Sequence, residues 1–421
     1  MAKKVVGVIF GGRSGEHEVS LVSATSVIKE MPKDKYSVKE IGISKDGKWY
    51  AGEAAASGAK GSGAKGSGAK GSEAEGSGAG LVEKFKSGGL GEGLSGLTPV
   101  SFEEALRGCD IAFPVLHGPF GEDGTIQGLF EMMGIAYVGC GVLASSACMD
   151  KIVCKDVLNQ AGIKIVPYVN FLRSEWTAGG KAVSKDAAAK IIERIEKEIG
   201  YPCFVKPSNM GSSVGISKVK VRDGREGGPS LKAAIDLAAK FDSRILVEKS
   251  VNAREIECAV LGNEEALAAE LGEILVGGEF YDYNDKYVDG KSKTVIPIPD
   301  LSDDVKANIQ EMCLRAYKAM DCSGLARADC FLDRDTGEVY LNEINTLPGF
   351  TSISMYPKMW QASGVSYPEL IDRLIQLGFD RFEERAKNQI SFDSGSDWFK
   401  ASGRYFHLQG GNYIMLCASV F

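Results

Sequence analysis

Four polar side chains with the makings of a site fall at fixed spacing inside one stretch, Gly324 to Gly349, which reads GLARADCFLDRDTGEVYLNEINTLPG: Arg327, Asp329, Glu343 and Asn345. Two alternating apolar runs flank Asp335-Thr336-Gly337. A three-residue loop with glycine in the left-handed position is a common hairpin connection. That register predicts Asp329 opposite Glu343 and Arg327 opposite Asn345. All four then share a face, because strand side chains alternate. The neighbours Phe331, Leu332, Val339, Leu341 and Ile344 are apolar, so the patch is expected to be partly buried. Buried carboxylates need partners. Oxygen ligands around an open position suit Mg²⁺, usually held by one or two carboxylates together with substrate phosphates. A structural salt bridge of Arg327 with Asp329 or Glu343 is the competing reading, and the hairpin alone leaves both open.

A second stretch can handle phosphate. Lys206 ends an apolar strand, and Ser-Asn-Met-Gly-Ser-Ser-Val-Gly follows before another strand, Ile216 to Val221. Small residues let backbone N–H groups approach phosphate oxygens. Gly211-Ser212-Ser213-Val214-Gly215 also matches G-x-S-x-G, but a nucleophile elbow must lead into a helix, and here a strand follows. Gly290-Lys291-Ser292 mimics the end of a Walker A loop, yet position 285 is Asp and no apolar strand precedes it. Glu248 lies near the end of a strand that crosses between segments, where it could meet an adenine edge. Glu255 opens the next strand and could hold ribose hydroxyls. Each is otherwise an ordinary surface acid.

The elements that position these groups follow in chain order. Lys4 to Phe10 is a strand, Gly11 to Gly15 a glycine turn, and Ser20 can cap a helix running to about Met31. G-x-G-x-x-G is absent, so the likeness to a dinucleotide fold is weak. Glu16 and Glu18, flanking His17, precede the helix as acids favoured by its dipole. Residues 53–80 are low complexity, with Ser-Gly-Ala-Lys-Gly repeated three times between Ser57 and Ser72. They cannot bury enough apolar surface to offset chain entropy and read as a flexible insertion. Asp110 to Leu116 is a strand ending at His117, the end at which open α/β sheets bind ligands. Ala144 to Ala161 reads as one helix carrying Lys151. Helices are expected over 185–199, 229–241, 302–320 and 367–387, and strands over 203–206, 244–249 and 255–261. Glu279 to Lys293 is a polar, aromatic loop.

With 421 residues the chain is long enough for two or three domains. Apolar residues make up 44% and charged residues 25%, as in ordinary globular proteins. The net charge of −7 argues against a nucleic-acid or anionic-membrane surface. No signal peptide or membrane span is expected. The ten cysteines form no CxxC pair, which suits reduced core thiols of a cytoplasmic protein, and three histidines are few for a zinc site.

Taken together, Lys151, Lys206 with its Gly/Ser loop, Glu248, Glu255, Arg327-x-Asp329 and Glu343-x-Asn345 resemble the ATP-grasp fold in that order. Gly-Glu-His-Glu-Val-Ser, His-Gly-Pro-Phe-Gly-Glu-Asp-Gly, Phe-Tyr-Asp-Tyr-Asn-Asp-Lys-Tyr and Asn-Thr-Leu-Pro-Gly-Phe-Thr-Ser resemble the D-alanine–D-alanine ligases. The likeness covers about residues 3–52 and 100–385. It implies an α/β and α+β chain: an N-terminal Rossmann-like (pre-ATP-grasp) domain over 1–150, then a two-lobed ATP-grasp fold. The small lobe would span 151–252 and the large lobe 253–388, with an active-site loop at 279–293 and a tail, 389–421, that the family pattern does not include. The resemblance implies that ATP phosphorylates one D-alanine, that a second D-alanine attacks, and that two Mg²⁺ (or Mn²⁺) ions are held by Asp329, Glu343 and Asn345. It places Lys151, Lys206, Ser213, Glu248, Glu255 and Lys286 on ATP. Arg327 and the Gly349 N–H would stabilise an oxyanion. Glu16 and His117 would hold the first D-alanine, and Ser354 and Met355 the second. Ser212 and Tyr287 would link to Glu16 and close the loop. The Tyr287 position favours an amine nucleophile over D-lactate, while D-serine is the harder alternative to exclude. The resemblance also implies a cytoplasmic homodimer that makes peptidoglycan precursors.

Overall fold

The computed structural model describes residues 2–52, 80–87, 96–178, 181–182, 185–225, 228–275 and 293–389. Nearly all of the 53–80 insertion, most of the 279–293 loop with Lys286 and Tyr287, the 290–292 stretch and nearly all of the 389–421 tail lie outside the described residues. Met1–Phe382 forms one compact unit and Glu383–Phe421 another. Of the latter, only the end of one helix and residues 387–389 are described.

The first region runs β1 (Lys4–Gly11), α1 (His17–Glu30), β2 (Tyr36–Ile43), β3 (Trp49–Ala51), α2 (Leu81–Ser87), α3 (Phe102–Leu106), β4 (Ile111–Pro114), α4 (Thr125–Met133), β5 (Ala136–Tyr137) and α5 (Val142–Met149). Its sheet has the order β3-β2-β1-β4-β5, parallel except for β3. Val6, Val8, Ile9 and Phe10 are fully buried, as a central parallel strand covered on both faces requires. α1 begins before the expected cap. Ser20 lies inside the helix, where its buried hydroxyl accepts from Gly11 N (2.8 Å) and donates to Val115 O (2.5 Å). The hydroxyl therefore ties the glycine turn to the end of β4 instead of capping α1.

The next region runs α6 (Lys151–Gln160), β6 (Tyr168–Leu172), α7 (Arg173–Trp176), β7 (Thr177–Ala178), β8 (Lys181–Ala182), α8 (Lys185–Glu198), β9 (Cys203–Pro207), β10 (Ser217–Val219), α9 (Leu231–Phe241) and β11 (Arg244–Lys249). An antiparallel sheet, β10-β9-β11-β6, packs its apolar face against α8 and α9. The expected single helix over 144–161 is broken. Asp150 is extended, at φ −86° and ψ 105°, and its carboxylate accepts from Ile152 N (3.2 Å) and Val153 N (3.0 Å), starting α6 afresh. An aspartate competing for backbone donors is a good cap and a poor helix interior.

The last region is β12 (Ala253–Gly262), β13 (Leu267–Ala268), β14 (Gly272–Leu275), β15 (Lys293–Val295), α10 (Asp303–Ala319), β16 (Gly324–Asp333), β17 (Val339–Asn345), α11 (Met355–Ala362) and α12 (Tyr367–Ala386). The sheet order is β15-β14-β12-β16-β17, with β13 on β12. Ile256, Cys258 and Val260 face the apolar cluster under α10, where Ile309, Cys313, Ala316 and Tyr317 are also buried. Each large apolar side chain so buried contributes about 1.5–3 kcal/mol. On the other face Ala259 and Leu261 meet the cluster of α11 and α12. Glu255 and Glu257 share that second face, further towards the start of β12. One half of a single sheet face is therefore core and the other half is charged.

Candidate active site

Register lines up three carboxylates. Glu257 on β12 is the direct partner of Asp329 on β16, and Asp329 of Glu343 on β17. Arg327 and Asn345 pair two residues further along, as the hairpin spacing predicts. The connection differs from expectation. Asp333 pairs with Glu338 around a four-residue loop, and Gly337 takes the left-handed conformation at φ 72°. Cys330 pairs with Leu341, so Asn342 is an extra residue on β17, and this bulge restores the Asp329–Glu343 pair. Arg327 donates Nε to Asp329 Oδ1 and Nη2 to Oδ2, both at 2.7 Å, and Nε lies 3.2 Å from Glu257 Oε2. Asn345 Nδ2 donates to Asp329 Oδ2 at 2.9 Å. Burial opposes the Arg327 charge, but Asp329, Glu257 and Glu343 outweigh it and hold the guanidinium protonated.

Facing this row is the start of α6. Burial pulls the Lys151 pKa down, and the Glu343 charge opposes that fall. Lys151 Nζ donates to Met210 O (2.7 Å) and its backbone N to Ser208 O (3.0 Å), so the helix start holds the glycine-serine loop. Ser208 Oγ donates to Asp150 Oδ1 (2.8 Å), and Arg244 pairs with the same carboxylate. In the loop Ser212 (φ 51°) and Ser213 (φ 59°) are both left-handed without being glycine, a strain that persists only where the surrounding structure over-determines the backbone. One helical turn beyond Lys151, Lys155 Nζ lies 2.5 Å from Glu248 Oε1, and Lys206 pairs with Oε2. Burial would raise the Glu248 pKa, but the two lysines hold it down at about 2.

The loop leads to the N-terminal region. A cavity of about 330 Å³ is lined by Arg13, Ser14, Glu16, Lys45, Pro119 and Ser212, among others. Glu16 Oε2 lies 3.1 Å from where a Cβ on Gly118 would stand and 3.7 Å from one on Gly211, so two glycines let the loops close around this carboxylate. His117 is buried, with Nδ1 3.6 Å from Glu122 Oε1 and Nε2 3.2 Å from Ser23 Oγ. Burial lowers its pKa, yet Glu122, with Glu16 behind it, raises it on balance. Ser23 Oγ also accepts from Phe350 N at 3.4 Å, which links His117 to the segment after Gly349. There Ser354 begins α11, its Oγ accepting from Thr351 N (3.0 Å) and lying 2.8 Å from Thr351 Oγ1. Contacts and charge interactions thus link these groups in series: the acid row to Lys151 by charge, Lys151 to the serine loop, the loop to Glu16 at the cavity, Glu16 to His117 by charge, and His117 through Ser23 to Phe350 beside Gly349.

Two family profiles match the chain, described as D-ala D-ala ligase N-terminus over residues 5–140 and D-ala D-ala ligase C-terminus over residues 157–376. The chain belongs to the D-alanine–D-alanine ligase family. Its sequence is 47% identical over 389 residues to the D-alanine–D-alanine ligase of Acetivibrio thermocellus, covering 91% of this chain and 98% of that protein. It is 46% identical over 388 residues to that of Heliobacterium modesticaldum, covering 92% and 98%. Among solved structures, the D-alanine–D-alanine ligase of Coxiella burnetii superposes with a TM-score of 0.71 at 32% identity, over 92% of this chain and 97% of that one. The VanG D-Ala:D-Ser ligase of Enterococcus faecalis gives 0.70 at 34% identity, over 90% and 100%. The ATP-grasp fold with its N-terminal domain is that of this ligase family.

Within this ligase fold, Glu16, Ser212, His117, Lys151, Ser213, Arg327, Asp329, Glu343, Asn345, Gly349 and Ser354 belong to or adjoin the series just described, and Lys206 joins it by its charge beside Lys151. Glu248 reaches it through Lys206. Met355 follows Ser354, and its side chain is buried against Gly272 and the α11 cluster. Glu255 is on β12 opposite Phe331, two residues from Glu257. Sequence reading missed Lys155, Glu257, Glu122 and Ser23. Lys155 had a signal, since four residues from Lys151 is the same helix face. Glu257 had one too, because period two puts it beside Glu255. Ser23 takes its partners from segments 94 or more residues away, with nothing local to mark it, whereas Glu122 stands with His117 in the His-Gly-Pro-Phe-Gly-Glu-Asp-Gly stretch, where the motif was visible and the pairing was not.

Proposed function

We propose that this chain joins two D-alanines to D-alanyl-D-alanine at the expense of ATP, through a D-alanyl phosphate. The observation that carries the reading is the Glu257–Asp329–Glu343 row facing Lys151 and the serine loop, in a chain that belongs to this ligase family. Lys151 and Lys206, with Lys286, hold the phosphates of ATP beside the N–H groups of the loop around Ser213. Glu248 and Glu255 serve the nucleoside end. Glu16 takes the ammonium of the first D-alanine and His117 lies at its carboxylate. A carboxylate oxygen of that D-alanine receives the γ-phosphoryl group and ADP forms. The amine of the second D-alanine, whose carboxylate is held at Ser354 with Met355 packed behind it, then attacks the acyl carbon. Arg327 and the Gly349 N–H stabilise the resulting oxyanion, phosphate leaves, and the ammonium proton is lost to solvent. Closing the site against water that would hydrolyse the acyl phosphate is the role assigned to Ser212 together with Tyr287, which lies outside the described residues.

The residues present fit a divalent ion. Asp329, Glu343 and the Asn345 amide are hard oxygen donors, and the row holds more carboxylates than its one guanidinium neutralises. Among the described residues no group of three or more His, Cys, Asp or Glu side chains is placed to hold a metal ion by itself, so an ion here would need further ligands from nucleotide phosphates. Two Mg²⁺ or Mn²⁺ ions there would neutralise phosphate charge during transfer. The reading extends to domain bounds at 150 and 252, to a homodimer, and to the cytoplasm, where ATP is kept. No described helix is long and apolar enough to cross a membrane.

The decisive experiment is product identification after incubation with ATP, Mg²⁺ and an equimolar mixture of D-alanine, D-serine and D-lactate. D-alanyl-D-alanine with one phosphate per bond is expected. D-alanyl-D-serine as main product would move the chain to its runner-up activity, and phosphate without any ligated product would end the reading.

A further inference from the structure

Arg327 sits between two carboxylates. Its single Nε proton goes to Asp329 Oδ1 at 2.7 Å, while Glu257 Oε2 lies 3.2 Å from the same nitrogen. Asp329 is thus gripped on both oxygens by the guanidinium, and it is also the central member of the set assigned to the divalent ion. Three of its roughly four lone-pair positions are taken, by Arg327 Nε and Nη2 and by Asn345 Nδ2, so a metal ion must share the carboxylate with them. Charge that Asp329 shares with metal-bound nucleotide is charge withdrawn from Arg327, so its hold on the guanidinium weakens. A largely buried guanidinium left without an anion is costly. Glu257 is placed to receive it. It is 5% exposed, on a strand laddered on both sides, to β14 at Gly272 and to β16 at Asp329, so its backbone is held beside Arg327.

We infer that Glu257 is a positioning residue: it takes over Arg327 when Asp329 engages metal-bound nucleotide, and so keeps the guanidinium aimed into the cleft. The inference rests on the metal reading proposed above. It treats Glu257 as more than a fixed negative charge, because the role depends on reaching Arg327. A purely structural ion pair would support the fold equally with and without nucleotide.

The test is titration of Mn²⁺ into ADP-bound protein, with free Mn²⁺ followed by electron paramagnetic resonance. Wild type, Glu257→Gln, Glu257→Asp and Glu343→Gln are compared, with melting of each metal-free protein recorded alongside. Glu257→Gln is expected to raise the Mn²⁺ concentration at half-saturation about tenfold, the size of one close charge interaction, while ADP binding without metal stays unchanged. Glu257→Asp keeps the charge but is one methylene short of Arg327, and it is expected to weaken Mn²⁺ several-fold. Wild-type Mn²⁺ affinity in Glu257→Asp would overturn the proposal, and so would equal loss of ADP binding with and without metal in either variant. If Glu257→Gln does not fold, the Asp variant alone decides. Loss of Mn²⁺ in Glu343→Gln, with both Glu257 variants normal, would sink this inference and leave the metal reading standing. Normal Mn²⁺ binding in Glu343→Gln would sink both.

Discussion

Lys155 Nζ lies 2.5 Å from Glu248 Oε1, and the two side chains are only 2% and 3% exposed. Removing one partner of a buried pair strands the other, at a typical cost of 3–5 kcal/mol. Glu248 retains Lys206, so Lys155→Met is expected to fall at the lower end, about 3 kcal/mol by denaturant unfolding. The Glu248 pKa is held at about 2, below the ordinary 4.5. A depressed carboxylate stabilises above its unfolded pKa and loses that contribution as pH falls through the folded value. The stability gap between wild type and Glu248→Gln should therefore be full above pH 4.5 and shrink towards pH 2. A gap that is flat across that window would count against the pair.

Glu343→Ala should leave the melting temperature within a few degrees of wild type, since its strand is held by ladder bonds to β16. Turnover should drop by about a thousandfold or more, the several kcal/mol a bound divalent ion supplies. Phosphate release and a thermal melt on the same preparation check both halves. Near-normal turnover would remove Glu343 from the chemistry.

His117 carries a pKa raised above 6.5, the net result of burial opposed by Glu122 and Glu16. A raised histidine stabilises fully below its unfolded pKa and loses that contribution as pH rises through its folded value. His117→Gln should cost most stability below pH 6.5 and progressively less above it. In a Glu122→Gln background this dependence should flatten. A series of melts from acid to alkaline buffer reads the effect, and an unchanged slope in that background would refute the pairing.

A Cβ on Gly349 would stand 2.9 Å from Ser354 Oγ. That hydroxyl is held by Thr351 N and Thr351 Oγ1, so it cannot swing aside without losing both. Gly349→Ala is expected to cost about 1–3 kcal/mol as overpacking and to raise KM for the second D-alanine. Adding Ser354→Ala should restore much of the stability while KM stays high. Recovery of both together would mean that Ser354 touches no substrate.

The hairpin shows how far local pattern reaches. Alternation of apolar residues put Arg327, Asp329, Glu343 and Asn345 on one patch, and the structure agrees, although through a four-residue loop and a compensating bulge at Asn342 instead of a three-residue loop. A buried sheet face selects the outcome and tolerates more than one route to it. Away from strand alternation, where a polar side chain can serve several backbone partners, local reading failed. Ser20 looked like a helix cap and is a buried bridge between β1 and β4. Asp150 looked like a residue within one long helix and ends it.

From residue order alone came the αβ layering, the reach of the glycine-serine loop, the pairing of Asp329 with Glu343, and the family. Those follow from periodicity and from short motifs whose chemistry is local. Chain folding alone decided that Glu257 joins that pair as a third acid, that Lys155 and Lys206 share Glu248, and that Ser23 bridges His117 to Phe350. Those partners come from separate strands and helices. Charge interactions depend on distance and burial, and sequence spacing reports neither across a fold.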